Sequence, residues 1–316
     1  MLIAVLSRRR WLSAGCLLLL LVPFACQKND DSVAAPRTVA DLIQEDAQFT
    51  LLRAAVGHAE AGDLLKGANL TLFAPTDSAF AAAGLTTPAA ITSLPPAQVR
   101  AVLLTHVLTA PVTSSELPSG QNAVTTAGNG VVYVSRTATQ LTINSARVTQ
   151  ADWSTANGTV HVIDRLLTPS AASVLAAIET NPNLTFLSAA LRRVGTTNPA
   201  LTALGNPSSN GVTFFAPNDA AFRSAGYASV AAIEAASPQT LASLLTYHVV
   251  PGVLFARQIQ AGTVTTLSSG NRLTLAVTNG TATVKGAKNA QPANFVTSDL
   301  TAPNGVVHVI NQVLQP

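Results

Sequence analysis

Charge is scarce in this chain of 316 residues, where Asp, Glu, Lys and Arg together make up 10%. A disordered, highly charged chain is excluded, and a hydrophobic fraction of 48% supplies ample material for packed cores. Cysteine is scarcer still, with Cys16 and Cys26 the only two. That excludes a disulfide framework and any Cys-rich zinc scaffold. Basic runs are missing beyond Arg8, Arg9 and Arg10, and no basic stripe with interleaved aromatics follows, which argues against nucleic-acid binding. The chain has no GxSxG elbow, phosphate loop, dinucleotide fingerprint or HExxH pattern. An enzyme is therefore not expected, and neither is a cofactor or a metal. A hydrolase built on His106 or His248 with an acidic partner would lack a visible nucleophile motif.

What is present begins with an address. The three arginines precede the apolar run 11–25, the pattern of a secretory signal peptide. The run is shorter than the roughly 20 residues of a membrane-spanning helix. It ends at Ala25-Cys26, which resembles a bacterial lipoprotein signal, where a small residue precedes a lipidated cysteine that becomes the new N-terminus. Ala25 fits that pattern, whereas Pro23 stands where an aliphatic residue is usual. Cys16 follows the arginines too closely to serve. The polar stretch 27–31, QKNDD, resembles the short acidic signal that sends some lipoproteins to the outer surface. The resemblance implies a signal peptide over 1–25, a tether over 26–36 and a lipid anchor at Cys26. It places the protein on the outer membrane or cell surface, or in the periplasm. Residues 1–25 hold three of the 18 basic residues and no acidic one, so the formal charge of +3 resides in them and the mature chain is neutral.

The remainder is a repeat. TLFAPTDSAF at 71–80 matches TFFAPNDAAF at 213–222, and His106 matches His248, both at an offset of 142. NGTVHVI at 157–163 matches NGVVHVI at 304–310, at an offset of 147. Order is kept and the offset barely grows, so one domain is duplicated, over about 37–169 and 170–316. A period this long means globular domains and not a solenoid. With almost no linker between them, the two domains are expected to hold a restricted mutual orientation.

Each copy opens with helical periodicity, at Val39, Leu42 and Ile43 and again at Val174, Leu175 and Ile178. A short strand at 71–73 runs into a helix near Pro75-Thr76, and further helices are predicted over 97–107 and 239–249. The back halves are Thr/Val-rich with period-two alternation, at 131–135, 141–143 and 273–277, punctuated by Asn-Gly turns. Helices first and strands later predict α+β domains.

The repeated motifs read first as structure. Pro75 and Pro217 end a strand, because proline brings no N–H to a ladder. Thr76 or Asp77, and Asn218 or Asp219, can cap the following helix. Phe73 and Phe215 are core candidates. Alternation sets Val160 and Val162 on one strand face and His161 with Ile163 on the other, so His161 and His308 are expected in partly buried, backbone-bonded positions. His106 and His248 close apolar helices and read first as satisfied core or helix-end histidines, where a cation would also suit the helix dipole. The other reading is a recognition site, with Tyr247 beside His248.

Taken together, the TxFAPTxxAF-like and NGxVHVI-like motifs and the histidine between them resemble the fasciclin (FAS1) domain family over nearly all of 37–316. The resemblance implies two tandem FAS1-like β-wedge domains with packed helices, and extracellular or cell-surface adhesion. In animal relatives a Tyr-His segment is associated with integrin binding. It maps onto Tyr247-His248, and in the first copy onto His106 alone, since Thr105 holds the tyrosine position. The bacterial-type signal argues against an integrin, so only the position is carried over. The partner expected is a cell-surface or matrix protein or glycan. The alternative is a periplasmic or surface module that binds a glycan or small ligand through its neutral Thr, Ser and Asn side chains.

Overall fold

The structure, a computed structural model, describes residues 36–316. The expected signal peptide, Cys26 and nearly all of the tether lie outside the described residues. In the first copy two helices, α1 (Val39–Glu45) and α2 (Thr50–His58), lead to strand β1 (Leu70–Pro75). Three more helices follow: α3 (Asp77–Ala82), α4 (Pro88–Thr92) and α5 (Pro96–Thr105). The remaining strands are β2 (Val107–Leu108), β3 (Gly120–Thr125), β4 (Val131–Arg136), β5 (Leu141–Ile143), β6 (Ala146–Thr155) and β7 (Gly158–Ile163). The second copy begins with α6 (Val174–Glu179), α7 (Thr185–Val194), α8 (Pro199–Thr202) and β8 (Val212–Pro217). Helices α9 (Asp219–Ser224), α10 (Val230–Ala235) and α11 (Pro238–Tyr247) come next. Strands β9 (Val249–Pro251), β10 (Gly262–Thr265), β11 (Arg272–Thr278), β12 (Thr281–Lys285), β13 (Ala293–Ala302) and β14 (Gly305–Ile310) complete it.

Local chemistry explains where the helices start. Thr38 forms a capping box with Asp41, and Thr76, Thr87, Ser173, Asn218, Ser229 and Ser237 each accept a bond from an N–H of the first turn. Proline opens α4, α5, α8 and α11, where its missing N–H costs nothing. The predicted helices 97–107 and 239–249 end sooner, at Thr105 and Tyr247. The next residues, Val107 and Val249, bond instead to the first strand of their own copy. Pairing of the chain with a strand already in place outcompetes one more helical turn.

Each copy forms a seven-stranded sheet, ordered β2-β1-β7-β6-β5-β4-β3 in the first and β9-β8-β14-β13-β12-β11-β10 in the second. The two motif strands lie side by side and parallel, β1 against β7 from Leu70↔Gly158 to Pro75↔Ile163. In the second copy β8 pairs with β14 in the same way. These strands are covered on both faces, which is why they read as nearly continuous apolar runs. Leu70, Leu72, Ala74, Val160 and Val162 meet the helices through Phe49, Leu52, Phe80 and Leu103. Phe73 and Ile163 face the other way, into a second core with Leu108, Val132, Val134 and Ile143, which the far strands close over as a wedge. Val307 and Val309 in the second copy likewise face the helices, and Phe215 and Ile310 the wedge. The parallel pairs begin at a glycine for a steric reason. A Cβ at Gly158 would lie 2.1 Å from Leu70 O, and one at Gly305 2.1 Å from Val212 O.

Residues 36–316 form one compact unit, and the seam between the copies has its own contacts. Tyr133 and Phe255 pack with their rings tilted, centroids 5.8 Å apart, beside Val306. Tyr133 Oη lies 2.7 Å from Pro303 O and 3.0 Å from Ala302 O. Gln258 Nε2 donates to Thr142 Oγ1 at 3.1 Å, and Arg257 pairs with Asp164 at 2.8 Å. The crossing chain is pinned on both sides. Ser170 Oγ accepts from Val131 N–H at 3.0 Å, and Ala171 N–H donates to Thr301 O at 2.8 Å.

Candidate functional site

The repeated motifs converge on the central strands of each copy, and their polar atoms are spent inside the fold. His106 and His248 are fully buried at the C-terminal ends of α5 and α11. His106 Nδ1 lies 2.8 Å from Val102 O, an atom that can only accept, so Nδ1 carries the proton. Nε2 accepts from Leu167 N–H at 3.0 Å. His248 repeats this with Leu244 O at 2.8 Å and Leu314 N–H at 2.8 Å. Both rings are therefore neutral, and burial lowers each pKa to about 4 despite the opposing bond to the carbonyl. The satisfied histidine expected at this helix end is a neutral ring and not a cation on the dipole, and it fastens the helix end to the chain segment after the last strand.

Direct contact between a partner and Tyr247, His248 or His106 is closed off in this fold, since all three are 0% exposed. The Tyr247 hydroxyl donates to Arg272 O at 2.9 Å and accepts from Ala287 N–H at 2.9 Å, so it too is occupied.

His161 and His308 use the opposite tautomer. Nε2 donates to Val112 O at 2.8 Å in the first copy and to Leu254 O at 2.7 Å in the second. Nδ1 accepts from Asp152 N–H at 3.3 Å and from Asp299 N–H at 3.2 Å. Both aspartates sit at bulges in β6 and β13 with φ of 61° and 65°. Their carboxylates hold a facing loop: Asp152 accepts from the Ser114 backbone and hydroxyl, and Asp299 from Ala256 N–H at 2.8 Å. Phe73 and Phe215 stack on these rings at 5.8 Å. Burial lowers both histidine pKa values, leaving the neutral form.

Asp77 and Asp219 act at a distance from their own helices. Thr76 and Asn218 cap α3 and α9, while Asp77 Oδ1 accepts from Leu51 N–H at 2.8 Å and Asp219 Oδ1 from Phe186 N–H at 3.0 Å. They thereby cap α2 and α7, whose own N-cap residues, Phe49 and Leu184, offer no side-chain acceptor. Pro75 and Pro217 end their strands directly before these caps.

Sequence reasoning missed two functions of the Asn-Gly turns. Asn157 Oδ1 accepts from Val39 N–H at 2.9 Å, and its Nδ2 donates to Leu65 O at 2.9 Å. Asn304, fully buried, bonds Val174 N–H at 2.8 Å and Leu204 O at 2.9 Å. Each staples the first helix of its copy to the start of the last strand, and the recurrence of Asn-Gly at the head of both VHVI strands was the available signal.

Among the described residues no group of three or more His, Cys, Asp or Glu side chains could hold a metal ion. No helix there is long and apolar enough to cross a membrane. Two clefts flank the seam, of about 180 and 310 Å³, and share Asn144 and Ser145 in their walls.

The fold and its fasteners define a class: tandem β-wedge modules whose motif residues build the scaffold. The chain belongs to the fasciclin-domain family, whose profile matches residues 47–169 and 182–316. It is 32% identical over 178 residues to human periostin, covering 56% of this chain and 20% of periostin. It is 33% identical over 156 residues to protein sll1483 of Synechocystis, covering 49% of this chain and 79% of that protein. Among solved structures, a FAS1 domain pair from the insect cell adhesion molecule Fasciclin I aligns with a TM-score of 0.39 at 18% identity. The alignment covers 84% of this chain and 96% of that one. The chain thus spans a fifth of periostin's length and about four fifths of the Synechocystis protein's.

Proposed function

We propose that this protein is a non-enzymatic adhesion or matrix-interaction lipoprotein, held to the outer membrane or cell surface through Cys26. One observation carries the reading: membership of the fasciclin family, matched twice along the chain. The buried motif residues support it, since the histidines and aspartates that could have served chemistry are engaged in holding backbone. The export pattern of residues 1–25 supports a location outside the cytoplasm, with 26–36 as tether and the modules over 37–169 and 170–316. The partner is a surface or matrix protein or glycan met by exposed faces of the modules.

Deleting residues 37–316 is expected to weaken surface attachment or biofilm cohesion, and wild-type attachment in the deletion would sink the reading. Cys26→Ser is expected to release the protein from membranes. Mass spectrometry of the mature N-terminus checks the anchor directly.

A further inference from the structure

The larger seam cleft has walls from both domains and contains neither a carboxylate nor an aromatic ring. Its lining is two arginines, Arg147 from β6 and Arg257 from the second domain, with amides and hydroxyls making up the rest. Asp164 stands beside it with both oxygens engaged. Oδ2 pairs with Arg257 at 2.8 Å, and Oδ1 accepts from the Arg147 backbone N–H at 2.7 Å. Arg147 has no carboxylate partner among the described residues. Its guanidinium meets a neutral one, Gln140, whose amide, assigned with its oxygen toward the arginine, accepts from Nε at 2.9 Å and from Nη2 at 3.2 Å. Two guanidinium groups against one carboxylate leave a single positive charge facing the cleft.

A planar guanidinium is matched geometrically by a carboxylate. One uncompensated charge suits a monovalent carboxylate better than a divalent phosphate. The remaining lining groups, Thr137, Gln258 and Gln260 among them, both donate and accept, as sugar hydroxyls do. With no aromatic platform, a neutral sugar would lack its stacking contribution, and charge must supply the affinity instead. No aliphatic or aromatic side chain lines the cleft, which disfavours a peptide whose apolar side chains would need a pocket. We infer that the seam cleft binds an acidic saccharide, a sugar unit bearing a carboxylate, with the carboxylate on Arg147 and the hydroxyls on neighbouring amides and hydroxyls. The inference rests on the adhesion reading for its setting, since it names the chemistry of the partner.

The test is calorimetric titration of the full chain with tetragalacturonate, neutral galactotetraose and tetraglutamate, at low and at physiological salt. Saturable binding of tetragalacturonate is expected, weakening with salt, with both comparators at least about tenfold weaker. Arg147→Gln, an exposed position, should weaken binding by about tenfold, as loss of a charge-assisted bond does. Gln260→Ala, also exposed, should weaken it severalfold. Absence of saturable binding, equal binding of either comparator, or unchanged binding in Arg147→Gln would overturn the inference. Tetragalacturonate binding by a protein whose deletion leaves attachment intact would defeat the adhesion reading alone. Attachment that depends on the protein without any binding of the acid would defeat this inference alone.

Discussion

A histidine whose two ring nitrogens are both engaged by backbone has no place for a second proton. In the unfolded chain His106 and His248 titrate near 6.5, and in the fold only near 4. Between those values the unfolded state binds more protons, so stability is full above about pH 6.5 and falls as pH drops toward 4, by about 3 kcal/mol per histidine. Thermal melting followed from pH 7.5 to 4.5 should show this decline, and a flat profile would contradict the assigned tautomers. Phe73 and Phe215, 2% and 0% exposed, stand against the other histidine pair. Phe73→Ala and Phe215→Ala should each cost about 3–5 kcal/mol, read by chemical denaturation. At this scale the alternation in TVHVI placed His161 correctly opposite Val160 and Val162. Partial burial and backbone bonding were legible too, but the tautomer and the partners were out of reach, because they depend on carbonyls and N–H groups that tertiary folding delivers, such as Leu167 N–H, 61 residues from His106.

The elements hold together through side chains that serve a neighbour's backbone. Asn304 is buried and joins α6, the 203–205 turn and β14, so Asn304→Ala would leave a buried N–H and a carbonyl without partners. The expected loss is about 2–3 kcal/mol, with a smaller one for the half-exposed Asn157→Ala, both measured by urea unfolding. Equal effects would argue against burial as the cause. Asn-Gly spacing and strand alternation were legible because turn chemistry and period two are local. Asn279 and Gly280, both with positive φ, form the two-residue hairpin between β11 and β12 that such a pair predicts. Strands β6 and β13 were not legible, because their bulges around Asp152 and Asp299 break the alternation. The true caps of α2 and α7 were equally hidden, since Asp77 and Asp219 lie 26 and 33 residues from the N–H groups they satisfy.

At the scale of the whole molecule, duplication was legible from three motif pairs, whereas the seam was not. Tyr133, Phe255 and Arg257 belong to no repeated motif, and a joint between unlike faces of like domains leaves no internal echo in the sequence. Small-angle scattering should fit a single arrangement of residues 36–316, and broad interdomain freedom would contradict the joint. Tyr133→Phe should cost about 1–3 kcal/mol, by leaving buried carbonyls at the seam without their donor, and should loosen that arrangement. The sheet order carries a further consequence for biogenesis. In each module the last strand, β7 or β14, inserts between the first strand and the rest of the sheet. A module emerging N-terminus first therefore cannot close its centre until its final residues are available, and long-range pairing of this kind is slow to form. On the proposed export route, such a chain would stay unlatched while threaded through a translocation channel and lock only after the whole module had come out on the far side.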